Sequence, residues 1–273
     1  MHYVVSDVHG HYRELVAALR QAKLLDSEGA WSGGQARLTF LGDYFDRGPD
    51  GIAVVDLVRR LQGEAGTDGG QVDALIGNHE ILALGMRRFG GQHLPSGQWS
   101  RPTFARSWKL NGGQVQDQEG LTDEHVAWLC GLGCVALAGS DLLLHSDTTE
   151  YLHWGETADQ INDGVAKILA GDDLGQWWQC WVRLTTRYAF AGLDGHDVAA
   201  DMLSRLGGTR IVHGHSIITT FTGQDLSELA QPFSYAGGRV LAVDGGIYAG
   251  GPCLVVRLDH PLPAPDCPPH TRA

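Results

Sequence analysis

Asp7, His9, Asp43, Asp46, Asn78 and His79 fall in three short blocks: Ser6-Asp7-Val8-His9-Gly10, Gly42-Asp43-Tyr44-Phe45-Asp46-Arg47-Gly48 and Gly77-Asn78-His79-Glu80. Carboxylate and carboxamide oxygens mixed with imidazole nitrogens suit borderline divalent cations better than a soft ion. A pair of such cations beside a histidine and an arginine is equipment for phosphoryl transfer to water. Asp7 and His9 are alternate residues at a strand end and so share a face. Asp43 has two oxygens with which to bridge two ions. Asn78 is informative because a neutral carboxamide oxygen is an unusual ligand outside binuclear sites. His145, closing Leu142-Leu143-Leu144, and His215, in Val212-His213-Gly214-His215-Ser216, add further nitrogen donors.

Positioning these groups requires strands. Residues 2–5, 37–41 and 72–76 are short, apolar runs followed by the three blocks, and each block leads into a helix-like stretch. Leu15, Val16, Leu19 and Leu24 have helical spacing over 12–23, as do Ile52, Val55, Val58 and Leu61 over 52–61. This alternation predicts right-handed βαβ units and a parallel sheet in the first half. The blocks then lie at the C-terminal strand ends, where open α/β sheets gather ligands. Gly/Gln/Asp-rich stretches at 29–36 and 63–71 read as surface connections.

The second half is patterned differently. Residues 87–121, with Arg87, Arg88, Trp99, Arg101, Phe104, Arg106 and Trp108 amid Gly and Pro, are expected to form an irregular cap or helical insertion near the site mouth. Thr122 opens a helix with Asp123 and Glu124 in its positive first turn. Residues 134–138 and 141–145 flank Gly139-Ser140 as a hairpin. Helices are expected at 157–170 and 196–206 and strands at 210–213, 239–243 and 253–258, giving more antiparallel pairing. One domain over 1–260 and a Pro-rich tail over 261–273 are expected.

With 273 residues and 43% hydrophobic content, the chain can bury a large core. Its 20 Lys+Arg against 32 Asp+Glu give a formal charge of -12. That excess argues against non-specific nucleic-acid binding, which needs cations to displace counterions. An anionic substrate must therefore be drawn by local metals and arginines. No run approaches the roughly eighteen apolar residues of a membrane span, and Met1 leads so directly to Asp7 that no cleavable signal is expected. Cys130, Cys134, Cys180, Cys253 and Cys267 are scattered and odd in number, as expected of reduced thiols in a cytoplasmic protein.

The three blocks resemble the leading motifs of calcineurin-like metallophosphoesterases, specifically bacterial phosphoprotein phosphatases. The resemblance continues through His145 and Gly214-His215 to Val243-Asp244-Gly245-Gly246-Ile247-Tyr248. It implies a four-layer α/β/β/α sandwich of two mixed sheets. It also implies two divalent or mixed-valence metals, manganese first, with iron or zinc as alternatives. Asp7, His9 and Asp43 would hold one; Asp43, Asn78, His145 and His215 would hold the other. His79 would be the general acid, oriented by Asp46, and hydrolysis would proceed by a metal-bridging hydroxide. Arg47 presents a planar fork matched to phosphate. The resemblance adds Arg183 as a second phosphate arginine, with Arg187 the fallback. Ser6 stands where the family has Gly, which is tolerated if its φ is negative. Ile217 replaces the second histidine of a His-x-His ending, which favours phosphoprotein phosphatases over nuclease and cyclic-nucleotide branches. His213 reads as a strand residue or outer partner, His11 as helix-start surface, and Glu80 as a first-turn anion. Asp244 reads either as a turn-former or as a partner to a ligand histidine.

The expected substrate is a phosphorylated serine/threonine protein or a small phosphoester, with no nucleic-acid or membrane partner. A symmetrical dinucleoside tetraphosphatase is the enzymatic alternative, and Tyr44-Phe45-Asp46 leans away from it. A silent metal-binding scaffold is the alternative of another class, against which the intact His79, Asp46 and Arg47 set speaks.

Overall fold

The structure is a computed structural model that describes residues 1–94 and 102–259. The chain opens β1 (His2–Val5), α1 (Tyr12–Gln21), β2 (Arg37–Phe40), α2 (Gly51–Thr67), β3 (Gln71–Ala74) and α3 (Asn78–Phe89). Three short helices follow: α4 (Phe104–Leu110), α5 (Val115–Gly120) and α6 (Asp123–Cys130). Then come β4 (Val135–Ala138), β5 (Asp141–Leu144), α7 (Ala158–Ala170), α8 (Leu174–Thr185), α9 (Gly195–Leu206) and β6 (Arg210–His213). The last elements are α10 (Thr219–Thr222), β7 (Phe233–Tyr235), β8 (Val240–Ala242) and β9 (Val256–Arg257).

Two mixed sheets result, ordered β3-β2-β1-β9 and β4-β5-β6-β8-β7. The first is parallel across β1, β2 and β3, with β9 antiparallel at its edge. The second is parallel across β5, β6 and β8, flanked by antiparallel β4 and β7. Val4, Leu143, Val212, Leu241 and Val256, drawn from both sheets, form one apolar cluster and so pack the sheets face to face. Their strand neighbours Val5, Leu38, Phe40, Leu142, Leu144 and Ile211 point the other way, into the cluster beneath the helices. The period-2 alternation of a strand thus feeds two interfaces, which makes the four layers.

Some expectations need correcting. Helix α2 runs on through Gly63 and Gly66 to Thr67, so 63–67 is not a connection. Its buried stripe of Val54, Val55, Val58, Leu61 and Ala65 outweighs the modest glycine penalty. Of 253–258 only Val256–Arg257 pairs as strand. Helix α8 and strand β7 were not foreseen. Asp173 caps α8 by accepting from the Gly175 and Gln176 amides, and Trp177, Cys180 and Leu184 form its buried face. In the 87–121 segment, α4 and α5 are regular, and Phe104 packs at 5.8 Å on Phe89 of α3. Trp99, Arg101, Cys267 and the 261–273 tail lie outside the described residues. The other four cysteines are free thiols, Cys134 and Cys180 being buried. No helix among the described residues is long and apolar enough to cross a membrane.

Candidate metal centre

The parallel strands β1, β2, β3, β5 and β6 deliver their C-terminal ends to one edge. The loops leaving β1, β2, β5 and β6 carry Asp7 and His9, Asp43 to Arg47, His145, and His215, and Asn78 opens α3 just beyond β3. Asp7, His9, Asp43, Asp46, Arg47 and His215 all adopt positive φ, between 47° and 65°. Non-glycine residues hold that conformation at a cost of about 1–3 kcal/mol each, and such strain gathers at functional sites. Ser6 is not among the positive-φ residues, so its side chain is accommodated; its hydroxyl donates to Asp7 Oδ2. Gly214 is fixed by contact, because a Cβ there would lie 2.2 Å from Asp7 Oδ2.

Two groups of donors converge. Asp7, Asp43, His145 and His215 form one, and His9, Asp43 and His79 the other; within each group the ligand atoms lie within 4.8 Å of one another. Asp43 belongs to both. His9 Nε2 is 3.6 Å from Asp43 Oδ2 and 3.9 Å from Asp7 Oδ1, so Asp7 reaches either group. His145 Nε2 lies 3.4 Å from Asp43 Oδ1 and 2.9 Å from Asn78 Oδ1. All six expected ligands, Asp7, His9, Asp43, Asn78, His145 and His215, are therefore brought together and buried.

The imidazoles are oriented from behind. His9 Nδ1 meets Phe45 O at 3.1 Å, His145 Nδ1 meets Leu41 O at 2.9 Å, and His215 Nε2 meets Thr185 O at 3.0 Å. For His9 and His145 an N–H donated to the carbonyl leaves Nε2 with a free lone pair, the arrangement of a metal-ligating histidine, whereas His215 Nε2 also faces the donor-only Arg187 Nη2 at 2.8 Å and cannot serve Thr185 O and Arg187 at once. Burial holds His9 and His215 well below the usual imidazole range, hence neutral. Burial pushes Asp7 up, with repulsion from Asp43 adding to it. Asp244 is raised well above the carboxylate range by burial and Asp7, and its Oδ2 has no hydrogen-bond partner among the described residues. Buried acids short of positive charge, with neutral imidazoles facing them, form a donor set that fits divalent cations.

His79 is held differently. Its Nδ1 is 3.0 Å from Asp46 Oδ2, its Nε2 accepts from Arg47 Nη2 at 3.1 Å, and its ring lies edge-on to His9. Although close enough to share a cation, it is turned toward Asp46 by a hydrogen bond the ligand histidines lack. Arg47 stacks 3.9 Å over the Tyr248 ring.

Arg183 is not brought to the centre. It lies on α8 and pairs with Glu150. Arg187, just past the helix end, instead reaches His215 Nε2 at 2.8 Å, so the fallback arginine lies at the site. His213 contacts Gly214 O and the Tyr235 hydroxyl, each at 2.8 Å, and is not among the converging donors. His11 stands at the start of α1 beside Glu14. Asp244 forms a turn, accepting the Gly246 N–H at 2.8 Å. Glu80 does more than line a first turn: it accepts the Asp43, Tyr44 and Gly77 amides, each at 2.8 Å, and so ties the second block to the third. Tyr248 ends the resemblance motif and Trp108 falls in the expected cap, yet neither they nor Asp117 have an individual role in the sequence reading; their position in space supplies it.

The family model for calcineurin-like phosphoesterases matches residues 3–218. Shewanella-like protein phosphatase 2 of Arabidopsis thaliana is 33% identical over 80 residues, which is 29% of this chain and 20% of that protein. A symmetrical bis(5'-nucleosyl)-tetraphosphatase of Cronobacter sakazakii is 37% identical over 82 residues, 30% of this chain and 24% of its own. The chain thus matches about a fifth to a quarter of the length of these curated relatives. Among solved structures, the cold-active protein-tyrosine phosphatase of a psychrophilic Shewanella species aligns with a TM-score of 0.66 at 23% identity. That alignment covers 92% of this chain and 72% of the other, and it is a likeness of fold.

Proposed function

The chain belongs to the calcineurin-like phosphoesterase family, a metal-dependent phosphoesterase class, and from that premise we propose that it is a binuclear phosphoric monoester hydrolase acting on phosphoserine and phosphothreonine in proteins. The observation that carries the reading is Asp43, shared between two groups of donors while its neighbour Asp46 holds His79. Asp7, His9 and Asp43 would hold one cation and Asp43, Asn78, His145 and His215 the other. Manganese is the first choice, and iron or zinc suit the same donors. When bound, such a pair acidifies water toward neutrality and neutralises phosphoryl charge.

The remaining steps belong to side chains. Arg47 and Arg187 orient the phosphoryl group through charge-assisted N–H···O bonds. His79, its Nδ1–H held by Asp46, delivers a proton from Nε2 to the leaving oxygen. Arg47 donates to that nitrogen in the free protein, so drawing Arg47 onto phosphate frees Nε2 to take up a proton from water, which it then gives to the leaving oxygen.

A dinucleoside tetraphosphatase is the second reading, supported by the relative of that name. Turnover of a phosphothreonine peptide and of diadenosine tetraphosphate, each with manganese and with chelator, separates the two. The proposal expects manganese-dependent phosphate release from the peptide. Release of nucleoside diphosphate alone would assign the second reading instead.

A further inference from the structure

The segment from 104 to 120 is far from the second block in sequence yet grips it in space. Trp108 Nε1–H donates to Asp46 Oδ1 at 2.9 Å, while Asp46 Oδ2 serves His79. Asp117 Oδ2 accepts the Asp46 amide at 2.9 Å, Gly112 O accepts the Arg47 amide at 2.7 Å, and Gln114 Nε2 donates to Arg47 O at 3.3 Å. Asp46 and Arg47 are the pair at φ 64° and 65°. Side chain and backbone of the strained pair are thus held from the same short stretch, and Asp46 is fully buried.

We propose that Trp108 is a positioning residue for proton donation, acting through Asp46, and that residues 104–120, within the segment expected as a cap or helical insertion near the site mouth, brace the acid pair. The proposal rests on the reading of His79 as general acid. A carboxylate with one oxygen pinned by an indole N–H can turn only its other oxygen to His79. That fixes the ring so that Nε2, not Nδ1, carries the proton toward the leaving group. Free to rotate, Asp46 would leave the imidazole wandering, and small misplacements in a site cost large factors in rate.

The test is Trp108→Phe, which keeps an aromatic ring and removes the N–H. Its kcat on alkyl phosphate should fall on the order of tenfold, the effect of losing a hydrogen bond to a charged group. KM and bound metal should be little changed, while the melting temperature should fall because the buried Asp46 Oδ1 is left without its donor. With aryl phosphates of decreasing leaving-group pKa the loss should shrink toward none. In a His79→Asn background Trp108→Phe should cost nothing further, because the residue it serves is gone. If Trp108→Phe fails to fold, replacing the indole by benzothienylalanine preserves ring shape without the donor and is read the same way. A His79→Asn loss that is independent of leaving group sinks the general-acid reading. A normal His79→Asn pattern with Trp108→Phe additive to it, or uniform across leaving groups, overturns the positioning role alone.

Discussion

His145 Nε2 faces Asn78 Oδ1 at 2.9 Å while the same ring's Nδ1 lies 2.9 Å from Leu41 O. With Nδ1–H donated to the carbonyl, two lone pairs are left pointing at each other inside a buried site. A proton on Nε2, a cation between the two, or a turn of the carboxamide that presents Nδ2–H removes the repulsion. Added manganese should therefore stabilise the protein, by about 2.7 kcal/mol per site at a hundredfold excess over Kd. The gain should shrink in acid, where ligands must first lose protons. A melting temperature unmoved by manganese at neutral pH would contradict this pairing.

Asp43→Asn should reduce bound metal, because one carboxamide oxygen cannot serve two groups of donors that both depend on Asp43. Elemental analysis after dialysis against trace manganese should give fewer than two ions per chain. Full retention of two would refute the bridging role.

Arg187→Ala and Arg183→Ala should separate cleanly. Loss of a charge-assisted contact to phosphate should lower kcat/KM about 10- to 100-fold for Arg187→Ala. Arg183→Ala should stay close to the unmodified enzyme, since Arg183 is paired with Glu150. Steady-state kinetics with an identical effect of both substitutions would remove Arg187 from the site.

Burial raises the Asp117 carboxyl from 3.8 to about 6, against the pull of the Asp46, Ile52 and Gly51 amides it accepts. The folded chain therefore keeps a proton that the unfolded chain has already released. The resulting stability is fully present below about pH 3.8 and is lost as pH rises through about 6. Urea unfolding in chelator should show the difference between the unmodified protein and Asp117→Asn changing in that sense from pH 4 to pH 7. A difference independent of pH would place Asp117 at its ordinary value.

The readable part of this chain was local. Strands β1 to β3 announced themselves because residues 2–5, 37–41 and 72–76 are short, largely apolar runs, and the six ligands lay immediately beyond such runs or in the resemblance. The site's support was not local. Trp108 and Asp117 reach Asp46 across 62 and 71 positions, and nothing in their neighbours marks a tryptophan as a hydrogen-bond donor rather than filler. Arg183 and Arg187 are four residues apart at a helix end, and only the place where α8 stops decides which one meets His215. Strand β7 is three residues long, too short to show a period, and α8 carries Trp177, Trp178 and Trp181, whose helix propensity is low.

The central claim, that Asp43 stands between two cations, is tested most directly by anomalous diffraction from manganese-soaked crystals. The account predicts two peaks about 3.5–4 Å apart, one on each side of the Asp43 carboxylate and the second beside Asn78, His145 and His215. A solitary peak, or two peaks that leave Asp43 untouched, would contradict it.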